Sequence, residues 1–162
     1  MPSTRRSLPA LIAGVCVAAA GAALTVYAFA DTGADAGLRP AKASGAPHCH
    51  RIAGAAPASL GGLPRRDSDL SGIAVWGDRD IVLRCGVTPP GPTGDPCFAV
   101  DGVDWVIDLA QSASGRKVVV TYGRTPATQV VFDGAAKTDA ALVNLSRLVA
   151  PIRPTSHCLA AE

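Results

Sequence analysis

The chain has 162 residues, 48% of them hydrophobic but only 4% aromatic, with a formal net charge of +2. That length supports one domain of ordinary size. Lysines and arginines occur only singly or in short pairs, so the electrostatic footprint of a nucleic-acid binder is absent and no nucleic-acid partner is expected.

Residues 1–7 form a short tail carrying Arg5 and Arg6. Residues 8–30 then run without a charge, and about twenty apolar residues cross ~30 Å of hydrocarbon as a helix. The cationic flank stays in the cytoplasm, so the N-terminus is placed inside and the rest of the chain outside, as a single-pass membrane protein. Ala28-Phe29-Ala30 also fits a small-x-small signal-peptidase site, and cleavage after Ala30 would secrete the domain instead. The length of the run favours the retained anchor over the signal peptide. Cys16 lies inside the run and reads as a small apolar helix residue. Residues 31–47, rich in Ala, Gly, Asp and Pro, read as a flexible linker to an exported domain at 48–162.

Within that domain His48–Ala56 reads as a short helix. Leu60–Arg66 reads as a turn and polar loop. Ala74–Trp76 and Ile81–Leu83 read as strands joined by the Gly77-Asp78 turn. Pro89–Pro92 makes a stiff loop without ladder donors, and Cys97–Val100 begins the next strand. Asp101-Gly102 between apolar runs is a hairpin signal and leads into a strand over Val103–Leu109. Lys117–Tyr122 and Thr128–Phe132 are two more strands. From Thr138 the period changes: Ala141, Leu142, Leu145, Leu148 and Val149 recur at helical spacing, Asp139 suits the first turn, and Pro151 ends the helix. The expected fold is α+β, a mostly antiparallel sheet of five or six strands with a C-terminal helix on one face.

Four cysteines lie beyond the apolar run: Cys49, Cys85, Cys97 and Cys158. An even count in an exported domain predicts two disulfides and allows three connectivities. Cys85 and Cys97 flank the Pro/Gly loop like the ends of a closed hairpin. That reading predicts Cys85–Cys97, with Cys49–Cys158 joining the first segment of the domain to the last.

Several stretches occur together: Ala74-Val75-Trp76-Gly77-Asp78, Ile81–Val87, Gly102-Val103-Asp104-Trp105, Tyr122-Gly123-Arg124-Thr125-Pro126 and Cys158-Leu159. With the N-terminal apolar run they resemble domain-of-unknown-function family 3515, small membrane-anchored or secreted proteins of actinobacteria. The resemblance spans His48 to Leu159, with Arg79 standing where the family more often has proline. It implies a cell-envelope location and a fold, and it implies no activity.

The domain has no phosphate loop, no His-Glu-x-x-His and no Gly-x-Ser-x-Gly elbow, so no catalytic residue and no cofactor is assigned. Trp76, Arg84, Asp104, Trp105, Tyr122 and Arg124 are the binding candidates, because tryptophan and arginine dominate interface energetics. Burial in the core is the preferred reading for the two tryptophans. Arg124, on a turn, is expected to serve binding, so that Arg124→Ala spares the melting temperature. His48, His50 and His157 would crowd one another if Cys49 paired with Cys158, giving a weak metal candidate. The leading expectation is a membrane-tethered, non-catalytic binding module for another envelope protein or a cell-wall component. The alternative is an exported enzyme or a metal-handling domain using the three histidines.

Overall fold

A computed structural model describes residues 33–113, 115–134 and 136–159. The short tail, the apolar run at 8–30 and the cleavage motif lie outside the described residues, and no described helix is long and apolar enough to cross a membrane. The elements in chain order are α1 (Pro47–Gly54), β1 (Ser59–Leu60), β2 (Leu63–Arg66), β3 (Ile73–Trp76), β4 (Ile81–Val87), β5 (Cys97–Val100), β6 (Val103–Ile107), β7 (Arg116–Thr121), β8 (Ala127–Asp133) and α2 (Thr138–Val149).

The eight strands form one sheet in the order β1-β2-β3-β4-β8-β7-β6-β5, every neighbouring pair antiparallel. It is built as two four-stranded meanders, β1–β4 and β5–β8, fused where β4 pairs with β8. The expected α+β class and C-terminal helix are present, but the strand count is eight rather than five or six. The additional pair is β1 and β2. Gly61 and Gly62, with φ of +59° and +87°, make the tight turn between them. β1 has only two residues and β2, Leu63-Pro64-Arg65-Arg66, carries a proline and two arginines, so the sequence shows the turn but not the strands around it.

Strand alternation gives the sheet two distinct faces. One face carries Ala74, Trp76, Leu83, Cys85, Trp105, Val119, Val130 and Phe132, and both helices cover it through Cys49, Ile52, Leu142, Leu145 and Val149. Helix α1 starts with Pro47 in its first turn. The Arg65 guanidinium closes its C-terminal end, donating to Ala53 O in the last turn at 2.7 Å and to Ala56 O just beyond the helix at 2.9 Å. Helix α2 begins at Thr138 with Asp139 in its first turn, as its sequence predicts, and buries Ala141, Leu142, Leu145 and Val149.

The opposite face carries Ile73, Val75, Val82, Val118 and Val131, with Ala34, Leu38 and Leu70 packed on it. Residues 33–46, expected as a flexible linker, are therefore part of the domain. Ala41 and Ser44 are buried, Ala43 N–H donates to Gly86 O at 3.1 Å, and Asp35 Oδ2 accepts from Asp69 N–H at 3.1 Å. Small residues that look featureless in sequence are the ones that can lie flat on a sheet. Gly86 is the contact that makes this possible: its φ is +95°, and a Cβ there would come within 2.7 Å of Ala43 O.

The disulfides are Cys49–Cys85 and Cys97–Cys158, not the expected pairs. Three strands separate β4 from β5, a distance of roughly 19 Å at ~4.8 Å per strand. The Pro loop is a crossover from one meander to the other. Cys49–Cys85 fastens α1 to the middle of the sheet, and Cys97–Cys158 fastens the C-terminal tail to the edge strand β5. Their sequence separations of 36 and 61 residues correspond to about 4 kcal/mol each in the chain-entropy treatment.

The turn between β3 and β4 also departs from expectation. Arg79 adopts φ +67°, which the proline implied by the family resemblance could not adopt. In this chain the turn is closed instead by Asp80 Oδ2, which accepts from Asp78 N–H at 2.9 Å.

Gly86→Ala is expected to destabilise the protein by at least about 2 kcal/mol, from left-handed strain together with a main-chain collision. Gly94→Ala, where a Cβ meets nothing within 4 Å, is expected to stay within about 0.5 kcal/mol of the parent. Denaturant unfolding of both variants checks the pair.

Candidate functional site

The six binding candidates separate into three groups. Trp76 and Trp105 belong to the helix-covered core, while Asp104, Tyr122 and Arg124 lie at the strand ends that meet the C-terminal tail. Arg84 belongs to the other face.

Both tryptophans are fully buried. Trp76 Nε1 donates to Pro57 O at 2.8 Å and Trp105 Nε1 to Ser146 Oγ at 3.0 Å. Each therefore contributes apolar bulk to a core built largely of Val and Ala, with its polar edge satisfied. Ser146, on α2, is a core residue that sequence reasoning missed, because a serine on an apolar stripe reads as a gap.

Arg124 is 4% exposed, so it presents no binding surface. Its Nη1 donates to Ala150 O at 3.2 Å and to Ile152 O, and its Nη2 donates to Gly102 O at 3.2 Å. Burial pushes the guanidinium below the usual arginine pKa, and the nearby Asp104 charge opposes that shift. The tail beyond α2 is held on the same spot. Thr155 N–H donates to Gly123 O at 2.7 Å, and Arg124 and Pro154 form an isolated bridge. Gly123, with φ +66°, lies where a Cβ would collide with Ser156 main-chain atoms. Asp104 Oδ2 accepts from Cys158 N–H at 3.2 Å and pairs with His157 Nδ1 at 2.9 Å. Tyr122, half-buried, donates its N–H to Asp104 O at 2.8 Å. The Gly-Val-Asp-Trp and Tyr-Gly-Arg-Thr-Pro stretches thus clamp the C-terminal tail, and Cys97–Cys158 closes the clamp.

The three histidines do not converge. Their proximity depended on a Cys49–Cys158 bridge, and the actual pairing places His48 and His50 on α1 while His157 sits on the tail. His48 Nδ1 lies 3.0 Å from Arg51 Nη2. Among the described residues no three His, Cys, Asp or Glu side chains are grouped to hold a metal ion.

Arg84 lines a groove of about 460 Å³ on the opposite face. Its floor is Val82 and Val131, directly paired across the β4–β8 seam. The segment containing Leu38 forms one wall, with Arg79 Nη1 bonded to Ala36 O at 2.6 Å. The loop bearing Gln111 forms the other wall, and Asp108 Oδ1 accepts from Gln111 N–H at 2.9 Å to fix that loop. At one end Arg84 faces its register partner Gln129, which is 5% exposed. Arg84 Nη1 donates to Gln129 Oε1 at 3.4 Å, and Gln129 Nε2 donates to Gln111 Oε1 at 3.3 Å. Both bonds are long, and Arg84 Nε is buried without a protein partner. At the other end stand Asp78, Asp80 and Asp133 with Arg79 and Arg116. Among the described residues the ion pairs are Arg147–Asp101 and His157–Asp104, so these oppositely charged groove groups stand apart from one another. Gln111, Gln129, Arg116, Asp80 and Asp133 are scattered in sequence, and only the strand order brings them together.

A sequence model of the family described as "Protein of unknown function (DUF3515)" matches residues 9–157. No curated protein and no solved structure matches the chain.

Because the buried Arg124 satisfies three main-chain carbonyls, that of Ile152 in a buried contact, Arg124→Ala is expected to lower stability by about 2 kcal/mol or more, several degrees in Tm for a domain of this size. Thermal unfolding checks this, and an unchanged Tm would return Arg124 to the surface role that its turn position suggests.

Proposed function

The chain belongs to domain-of-unknown-function family 3515, and from that premise we propose that it is a membrane-tethered, extracytoplasmic, non-catalytic binding module of the actinobacterial cell envelope. The observation that carries the location is that all four cysteines beyond residue 30 pair into two disulfides. Such bonds persist in oxidising compartments and are rare where glutathione and thioredoxin act. The uncharged run at 8–30 behind Arg5 and Arg6 supplies the anchor and its orientation. Ala34, packed against the sheet, lies only four positions beyond the end of that run at Ala30, so the domain is held close to the bilayer.

A binding role, rather than catalysis, agrees with how the chemically capable side chains are used. Arg124, Asp104 and both tryptophans are spent on internal contacts. The groove at the β4–β8 seam gathers charged and amide side chains around a small floor of Val82 and Val131, so a ligand there would be held mainly by polar contacts. The partner is an envelope component that reaches this groove.

The test uses intact cells. A membrane-impermeant amine-reactive label is expected to modify the protein without lysis, and the labelled protein is expected to stay with membranes through alkaline carbonate extraction. A photo-crosslinking residue in place of Gln111, in the groove wall, is expected to give discrete adducts. The same residue in place of Asn144, exposed on α2 behind the sheet, is expected to give none. Labelling only after lysis would overturn the location, and equal adduct patterns from the two positions would overturn the binding surface.

A further inference from the structure

The geometry points to a short peptide with free termini as the ligand of the β4–β8 groove; this rests on the binding reading above and names the ligand class for the same site.

The argument is one of charge placement. At one end a single cation, Arg84, stands with two neutral amides, Gln129 and Gln111. That end carries +1 and matches a monoanion. Arg84 gives only one N–H to the protein, through a long bond to Gln129. Arg84 Nε is buried, and the Nη N–H groups not used by Gln129 are the planar face that suits a carboxylate. At the other end three aspartates, Asp78, Asp80 and Asp133, meet two arginines, Arg79 and Arg116. Three negative charges less two positive charges leave −1, which matches one ammonium.

The spacing between the ends is set by the strands. Asp80 lies four residues before Arg84, and Asp133 four residues after Gln129, or about 13 Å along the strands at ~3.3 Å per residue. An extended peptide of two or three residues is ~7–10 Å long, which leaves room for a hydrogen bond at each terminus. Between the ends the floor is apolar, formed by Val82 and Val131 with Leu38 beside them. A small aliphatic side chain in the middle of the peptide would cover that floor. The volume of about 460 Å³ lies in the ordinary range for small-ligand sites, about 300–1,000 Å³. A phosphate-bearing ligand fits the first end less well, because two of its three neighbours there are uncharged amides.

The full chain in detergent micelles is titrated calorimetrically with Ala-Leu-Ala, its C-terminal amide, its N-acetyl derivative and inorganic phosphate. The free tripeptide is expected to bind, with amidation and acetylation each weakening it at least ten-fold, and phosphate giving no heat. Arg84→Gln is expected to abolish tripeptide binding. Gln111→Ala, on an exposed loop, is expected to weaken it several-fold without a change in Tm, so the result does not depend on Arg84→Gln folding. No heat from any peptide, equal binding of the amide, or binding of phosphate alone would overturn the proposal. If peptides fail while the crosslinker at position 111 still gives discrete adducts, the ligand class falls and the binding module stands. If both fail, both fall.

Discussion

The pairing of β4 with β8 holds this structure together. Each meander is local, made of strands that pair in the order in which the chain makes them. The β4–β8 ladder is long-range: it sets Ile81–Cys85 against Thr128–Phe132 in one register, which shifts by one residue at Gly86 so that Val87 meets Ala127. Strand register has a period of two, so a one-residue slip would exchange the faces. A slip of β4 would take Leu83 out of the helix-covered core and bring Arg84 into it. The cost of burying that guanidinium among apolar side chains adds to the apolar preference in fixing the seam.

The two disulfides extend the same logic to the ends of the domain. Cys85 sits on the core side of β4 and is bridged to Cys49 on α1, so the first helix is fastened to the seam strand. One residue later Gly86 opens the other side of the backbone to residues 43 and 44. The N-terminal segment is thereby held against β4 from outside while α1 is held from inside. At the far edge, Cys97–Cys158 and the contacts of Arg124 and Asp104 fasten the tail. A domain with few aromatic residues has limited apolar bulk per side chain, and covalent closure of both ends offsets that shortage.

Much of this was legible in the sequence. The six strands β3–β8, the Asp101-Gly102 hairpin, the change of period at Thr138 and the burial of both tryptophans follow from residue type and spacing. The disulfide pairing did not, because it depends on strand order. A local reading joined Cys85 to Cys97 across a loop taken for a hairpin. The loop's length was the available signal: Thr88–Pro96 is longer than the usual hairpin connection of about two to five residues. Arg124 was misplaced for a related reason. A turn position argues for exposure, but this turn lies beneath a tail that arrives some thirty residues later. The groove was illegible beyond Arg84, since Gln111, Gln129 and Asp133 become neighbours only through the ladder.

The measurement that most directly tests this account is a peptide map under non-reducing conditions, with disulfide-linked fragments identified by mass spectrometry. The account predicts fragments joining Cys49 to Cys85 and Cys97 to Cys158, because β8, β7 and β6 lie between β4 and β5 and keep Cys85 away from Cys97. A fragment joining Cys85 to Cys97 would place β4 beside β5 and contradict the strand order, and with it the seam, the groove and the ligand proposed for it.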